Sequence, residues 1–199
     1  MRIRRPVTLI IGLFSGSLLF SQQQTQTFQG ITNSTQTLQI DKYNGSSLES
    51  VDIQISISAQ KGYLGLDNDA AFAQDIQAAA GVHVSIQSGQ VTLFNADNQP
   101  LFSNLGSVYF ETVSLAGDNG DGSAAIDLTS PDGKIIQPEN IQAQITERIS
   151  DSLLGMFAGA GSITLNINFN NFFQTNDSQE ITQAGSPFEF EGELTVIYH

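Results

Sequence analysis

Residues 51–59 have the sequence VDIQISISA, and this stretch decides the fold class. Its odd-numbered positions are all apolar and its even-numbered positions are all polar. Because successive side chains of a β-strand point to opposite faces, this alternation predicts a strand with one buried face and one solvated face. Such strands are typical of antiparallel sheets, whereas parallel sheets are usually covered on both faces.

The same period of two recurs along the chain. The clearest further examples are residues 82–86, 163–170 and 188–196. Weaker examples are residues 37–41, 108–115 and 124–129. After residues 82–86, a turn at Ser88 and Gly89 leads into an apolar-polar-apolar stretch at 91–93, which predicts a hairpin. The apolar positions change parity between Phe110 and Val113, which predicts a β-bulge.

Turn-forming residues separate these segments. They are Asn44-Gly45, Asp118-Asn119-Gly120, Asp121-Gly122, Pro131-Asp132-Gly133 and Ala184-Gly185-Ser186-Pro187. Short antiparallel strands joined by tight turns are typical of a β-sandwich. The predicted fold class is therefore all-β, an antiparallel β-sandwich of immunoglobulin-like or jelly-roll-like type with about 8–10 strands.

One segment fits two periods. Apolar residues recur every four positions from Ile141 to Leu153, which suits a helix, but residues 141–145 also alternate as a strand does. We interpret 141–147 as a strand. A short helical turn then follows at 151–157, with Ser150 as its N-cap.

Composition narrows the function classes. The chain has 199 residues and no cysteine, so it forms no disulfide, thiolate metal site or cysteine nucleophile. It carries 20 acidic residues against seven basic ones, a formal net charge of −13. That balance argues against nucleic acid or an anionic membrane as a partner, because too few cations are present to neutralise phosphates.

The first 21 residues predict a secretory signal peptide. Arg2, Arg4 and Arg5 precede an apolar run at 7–20, and Ser21 is a small residue suited to cleavage. An uncleaved N-terminal anchor is the alternative. After cleavage, four basic residues would remain against 20 acidic ones, a net charge of −16. The cleaved chain would contain no apolar segment long enough to span a membrane. The protein is then expected to be secreted or at the cell surface.

The rest of the chain divides into a polar leader and one domain. Residues 22–36 are rich in Gln and Thr and predict a flexible leader or an edge strand. Residues 37–199 predict a single β-sandwich domain.

Several segments resemble the choice-of-anchor E domains of bacteria. Residues 43–51, YNGSSLESV, resemble the opening of that family, an aromatic residue and a small-residue turn before Leu-x-x-Val. Residues 67–71, DNDAA, are similar to its next turn. Residues 153–165, LLGMFAGAGSITL, resemble its Phe-x-Gly-x-Gly-x-Val-x-Leu signature. The pair 184–185 and the segment 193–198, ELTVIY, resemble its closing strand.

The resemblance covers residues 35–198 and implies an exported surface or extracellular β domain of unassigned activity. It implies no catalytic residues. Members of the family usually carry a C-terminal sorting tail, whereas this sequence ends at His199 without an apolar segment or a basic cluster. Free secretion or non-covalent assembly is therefore expected in place of attachment through a sorted tail.

Asp118, Asn119, Asp121 and Asp127 form the best acidic cluster in the sequence. Calcium needs several oxygen ligands on a bent loop, and this segment provides them, so it is the predicted metal site. A solvated turn is the alternative, because the match to an EF-hand loop lacks two essential carboxylates. Residues 67–69 form a second, weaker cluster that a sandwich could bring to the same end.

Glu189, Glu191 and Glu193 share one face of a predicted strand. Paired carboxylates can hydrolyse glycosidic bonds, but three on one strand are typical of a solvated face that discourages edge-to-edge aggregation. His83 has no nucleophile motif or zinc-ligand spacing beside it. We therefore predict that the protein is not an enzyme.

These observations predict a non-enzymatic structural or adhesive module of the bacterial cell surface or extracellular matrix. Its expected partners are other surface or matrix proteins, further copies of itself, and glycans. Self-assembly could use residues 22–36 to complete the sheet of a neighbour. A carbohydrate- or calcium-dependent binding module is the alternative, and a glycoside hydrolase is the least favoured.

Overall fold

The computed structural model describes residues 22–103, 107–120, 126–129, 131–138, 141–176 and 180–199. These residues contain twelve β-strands, and every strand pairing is antiparallel. The strands are β1 Gln22–Ile31, β2 Ser34–Asp41, β3 Val51–Gln60, β4 Tyr63–Asn68, β5 Gln74–Ser88, β6 Val91–Thr92, β7 Ser107–Leu115, β8 Gly133–Ile136, β9 Ile141–Arg148, β10 Ser162–Thr175, β11 Ile181–Ser186 and β12 Glu189–Tyr198. The prediction of an all-β antiparallel fold is confirmed, with more strands than the 8–10 expected.

The strands form three sheets. Sheet 1 has the order β1-β12-β3-β9. Sheet 2 has the order β2-β10-β5, and both β6 and β7 pair with the long strand β5. Sheet 3 has the order β11-β4-β8. The predicted hairpin after residues 82–86 is confirmed as the pairing of β5 with β6.

Sheets 1 and 2 pack their apolar faces together. In β3 the inward residues are at most 4% exposed and the outward ones are half-buried, as the alternation of 51–59 predicts. Three aromatic rings join the sheets. The Phe169 ring of sheet 2 lies 3.9 Å from Phe190 and 5.2 Å from Phe28 of sheet 1, centroid to centroid. The core therefore lies between two sheets, as in a sandwich.

Residues 22–36, predicted as a flexible leader or an edge strand, form β1 and the start of β2. The two strands follow each other but belong to different sheets, with only Thr32 and Asn33 between them. Asn33 has a positive φ of 63°, a conformation that Asn tolerates better than most residues. This corner carries the chain from the edge of sheet 1 to the edge of sheet 2.

Two predictions about the weaker strands are wrong. Residues 126–129 are not a strand, and residues 124–125 lie outside the described residues. Strand β7 pairs with β5 in one continuous register from Leu115 to Ser107, so it has no bulge. Phe110 points outward and is 74% exposed, which explains the apparent change of parity.

Predictions at two strand ends also need correction. Residues 184–186 belong to β11, which pairs with β4, so they do not form the expected turn. The strand at 141–147 and the helical turn at 151–157 are confirmed as β9, a 3-10 turn at Asp151–Leu153 and helix α1 at Leu154–Phe157. Ser150 occupies the N-cap position, but its side chain makes no capping hydrogen bond.

Among the described residues, no helix has both the length and the apolar character needed to cross a membrane.

Candidate functional site

The two acidic segments predicted from the sequence meet at one end of sheet 3, where its central strand β4 finishes. Asp67 and Asn68 end β4, and the backbone N–H of Asp127 donates a 2.9 Å hydrogen bond to Asp67 Oδ2. The backbone N–H of Asn68 donates to the carbonyl oxygen of Asp132, at 3.0 Å. Asp67, Asn68 and Asp132 are each only 1% exposed. The expectation that the fold brings these loops together is met.

Asn68 connects the loops of this acidic cluster. Its Nδ2 donates to the carbonyl oxygens of Phe72 at 3.0 Å and Ala116 at 2.5 Å. Its Oδ1 accepts from the backbone N–H of Ala70 at 3.2 Å and from Gln74 Nε2 at 2.7 Å. All four hydrogen-bonding positions of this buried amide are thus occupied, three by partners in residues 70–74 and one by Ala116.

The predicted calcium ligands hold turns together. Asp118 Oδ1 accepts from the backbone N–H of Gly120 at 2.8 Å, and Asp127 Oδ1 accepts from the N–H of Thr129 at 2.9 Å. Asn119 donates from its backbone to Asp132 Oδ2 at 2.8 Å. The first two contacts are typical of a tight turn in which a side-chain oxygen binds a nearby N–H, whereas the third joins two loops.

Whether calcium binds at Asp118, Asn119, Asp121 and Asp127 stays a prediction, because Asp121 lies outside the described residues. Within the ranges that the structure describes, no three acidic or histidine side chains are grouped closely enough to hold a metal ion. Asp132 belongs to the cluster, although the sequence identified it only as part of a turn. Its pairing with residues of β4 depends on the contact between β4 and β8, which no local pattern reveals.

Electrostatics at Asp67 follow from burial. Burial raises the pKa of its carboxyl group, and the negative charges of Asp69, Asp132 and Asp127 add to that effect. The hydrogen bond from the backbone of Asp127 opposes it without cancelling it. Asp67 therefore keeps its proton to a higher pH than a free aspartate does.

A cleft of about 1010 Å³ is lined mainly by residues of sheet 1. Two adjacent cross-strand rows contribute most of its polar side chains. They are Thr27, Glu193, Ser56 and Gln144 in one row and Gln29, Glu191, Ser58 and Gln142 in the other. The remaining lining residues are Phe28, Gly192, Ile57 and Ala143 of the same sheet and Gln36, Thr37 and Leu38 of β2. The cleft thus presents hydroxyl, amide and carboxylate groups at the regular spacing of a sheet.

The three glutamates lie as predicted, on one face of one strand. Glu189 forms an exposed ion pair with Lys61, whose Nζ lies 2.8 Å from Oε2. Glu191 and Glu193 line the cleft, and they are the acidic residues among its lining side chains. The hydrolase alternative needs a carboxylate from a second strand, and the described lining of this cleft does not supply one.

The outer face of sheet 2 carries a ladder of amide and hydroxyl groups. Thr35 Oγ1 donates to Asn168 Oδ1 at 2.7 Å, and Thr37 Oγ1 donates to Asn166 Oδ1 at 3.0 Å. His83 is opposite Asn170 in the same sheet and is exposed. The alternation of 163–170 predicts a strand with one wet face, and the β2–β10 register shows how threonines of β2 bond to the asparagines on that face.

Comparisons with known proteins add little to this geometry. No family model matches the sequence, and no curated protein matches it. Solved structures similar to this chain include the infectious bursal disease virus VP2 subviral particle, at 16% identity over 97% of this chain and 37% of that chain, with a TM-score of 0.23. The T13 particle of the same virus is 11% identical over 96% of this chain and 39% of that chain, with a TM-score of 0.19. This chain spans less than half the length of those viral chains, and similarities this weak support no conclusion about function.

Proposed function

We propose that this protein is an exported, non-enzymatic β-sandwich that serves as a structural or adhesive component of the cell surface or extracellular matrix. The observation that carries the proposal is the pair of broad polar faces, one on each main sheet, built on one continuous apolar core. Rows of amides and hydroxyls with few cations suit contact with other hydrated polymers, and they keep the molecule in solution during export. The resemblance of residues 43–51 and 153–165 to exported bacterial β domains supports the same conclusion.

Localisation in the native host tests this proposal. Whole cells are treated with a protease that cannot enter them, and the chain is followed by immunoblot in cell, surface and medium fractions. We expect the protein outside the cytoplasm, shortened by the 21 residues of the predicted signal. A variant without residues 1–21 should remain inside and resist the protease. Full-length protein that accumulates in the cytoplasm would overturn the proposal.

A second candidate function is favoured by the cleft of sheet 1, which would bind a hydroxyl-rich glycan. Glu191 and Glu193 are acceptors, and Gln142 and Gln144 both donate and accept, so together they match the mixed donors and acceptors of sugar hydroxyls. The half-buried Ser56 adds a hydroxyl group between Glu193 and Gln144, its two cross-strand neighbours in this cleft.

A glycan array followed by calorimetry tests this second candidate. The Gln142→Ala/Gln144→Ala double variant should lose binding at least about tenfold, since two hydrogen-bonding side chains are removed. Asn170→Ala, an exposed amide on sheet 2, is the matched control and should bind as the wild type does. Equal binding by both variants would place any glycan site outside the cleft.

A further inference from the structure

β1 is held to the molecule mainly through its backbone. All ten of its residues pair in register with β12. Phe28 is its one buried side chain, and the other nine are exposed or half-buried. A strand that buries so little apolar surface belongs to the part of a fold that opens locally at the lowest free-energy cost.

Apart from the ring contacts of Phe28, the side-chain contacts of β1 are polar and can be replaced by water. Gln24 Nε2 donates to the carbonyl oxygen of Asp41 at 2.7 Å, and Gln24 Oε1 accepts from the backbone N–H of Asp41 at 2.9 Å. Gln26 Nε2 donates to the carbonyl oxygen of Gln39. Since each exposed contact exchanges with a hydrogen bond to water, its net contribution is small. Opening of β1 therefore costs chiefly its backbone ladder and the burial of Phe28.

β1 ends at an anchored corner, and Gly30 is the last residue but one of the strand. The corner is fixed, because the N–H of Thr32 donates to the carbonyl oxygen of Phe188 at 2.8 Å and that of Asn33 donates to Phe169 at 2.6 Å. Gly30 precedes the corner, and Ile31 between them is 54% exposed. Rotation at Gly30 would swing residues 22–29 away from β12 and leave the pairing of β2 with β10 intact.

We propose that residues 22–29, here called the N-terminal arm, exchange between two copies of this chain. The arm of one copy pairs with β12 of the other, and the exchange is reciprocal. An open β12 edge would expose a row of unpaired backbone groups, with the buried side chains of Phe190 and Leu194 beside it. The arm of a second copy restores the same register and the same contacts, which makes exchange an inexpensive route to association.

The predicted cleavage after Ser21 supports this inference, because it would leave the arm as the end of the chain. The inference rests on the proposed structural function and names a second copy of the chain as the partner. Exchange is measured on purified protein and function by location in cells, so either can fail without the other.

Single cysteines provide the test, since the chain has none of its own. Thr25 and Thr195 are cross-strand neighbours with hydroxyl oxygens 2.8 Å apart. Tagged Thr25→Cys chains are mixed at high concentration with untagged Thr195→Cys chains, oxidised and separated on a non-reducing gel. The matched control replaces the second variant by Asn170→Cys, which is exposed on sheet 2 and not beside β1.

Exchange predicts a mixed disulfide between Thr25→Cys and Thr195→Cys chains, in at least about tenfold excess over the Asn170→Cys mixture. Random collision predicts the reverse, because Thr195 is only 8% exposed. An equal or smaller yield would therefore overturn the proposal. Wild-type copies of two isotopic masses provide an independent measurement. If native mass spectrometry finds no mixed dimers after concentration and dilution, exchange does not occur.

Exchange also makes a kinetic prediction that separates it from surface association. The contacts of Gln24 and Gln26 are present in both the closed and the exchanged form. A Gln24→Ala/Gln26→Ala variant should therefore form mixed dimers several-fold faster and reach the same final fraction. A changed final fraction with an unchanged rate would contradict arm exchange.

Discussion

The hydroxyl group of Tyr198 donates a 2.7 Å hydrogen bond to the carbonyl oxygen of Asp41, and so joins the last strand of sheet 1 to the end of β2 in sheet 2. The Tyr198 side chain is fully buried, and its ring lies 5.9 Å from that of Tyr43, centroid to centroid. Burial, with a further contribution from the charge of Asp41, raises the pKa of Tyr198 well above its usual value. The hydroxyl therefore remains a donor at neutral and moderately alkaline pH.

Loss of this hydrogen bond should destabilise the sandwich. We expect Tyr198→Phe to lower the free energy of unfolding by about 1 kcal/mol, because a buried acceptor loses its donor. Thermal unfolding followed by circular dichroism should show a Tm lower by about 2–4 °C. Tyr63→Phe is the control, since the hydroxyl of that half-buried residue has no hydrogen-bond partner among the described residues. Equal shifts in both variants would show that the bond to Asp41 contributes nothing.

Gly192 allows the strands of sheet 1 to approach closely. A Cβ atom at this position would lie 2.2 Å from the carbonyl oxygen of Ser56 and 2.7 Å from the ring of Phe28. We expect Gly192→Ala to lower the unfolding free energy by about 2 kcal/mol or more, because β3 or β1 must move to admit the methyl group. Chemical denaturation at pH 7 measures the loss.

Gly155→Ala is the matched control for that substitution. Outside its own helical turn, nothing in the described structure lies within 4 Å of a Cβ atom added at Gly155, which is in α1. There the change should be neutral or stabilising by up to about 1 kcal/mol, since alanine favours helix more than glycine does. A Gly192→Ala protein as stable as the control would show that the backbone relaxes around residue 192 without cost.

The alternation of apolar and polar residues identified the strands that have one solvated face. It did not identify strands that are covered on both faces. β3, β10 and β12 each bury every second residue over most of their length, so the sequence shows their period directly. β4 buries five consecutive residues, and Leu128 approaches Gly65 within it. In a strand covered on both sides, neither face needs to be polar, so its sequence shows no regular period of two.

Alternation also fails to identify polar edge strands, because they bury almost no residues on either face. β1 buries only Phe28, and β11 has no buried residue at all. The acidic cluster was predicted in part, because Asp67 and Asp127 belong to the two acidic segments that stand out in the sequence. Asp132 could not be assigned to it, since it meets Asn119 and Asn68 only after β4 has paired with β8.

Asn68 should be among the most sensitive polar positions of the protein. Asn68→Ala removes a fully bonded buried amide and leaves backbone groups of Ala70, Phe72 and Ala116 without that partner. We expect the free energy of unfolding to fall by about 2–3 kcal/mol, as for other buried groups left unsatisfied. Asn170→Ala, which changes an exposed amide in β10, should shift stability by no more than about 0.5 kcal/mol. Denaturant titration of both variants measures the difference, and similar values would contradict the assignment.

Asp52 should make stability depend on pH through its contacts with Arg148 and His199. Its Oδ1 lies 3.0 Å from Arg148 Nε, and its Oδ2 lies 3.0 Å from His199 Nε2. Burial alone would raise the pKa of Asp52, but hydrogen bonds and charge from Arg148 and His199 outweigh it and lower the pKa below its usual 3.8. A carboxyl group whose pKa is lower in the folded state stabilises the fold above the unfolded value and loses that contribution as pH falls through the folded value.

The Asp52→Asn variant should therefore unfold at a lower Tm than the wild type at pH 7, by about 2 °C or less, since partly exposed ion pairs contribute little. The difference should shrink as pH falls below 3.8. It should also shrink at pH 7 in about 1 M salt, where charges are screened. Asp97→Asn, on an exposed turn, is the control for the loss of one negative charge. If the difference at Asp52 persisted at acidic pH, the loss would come from packing or hydrogen-bond geometry and not from charge.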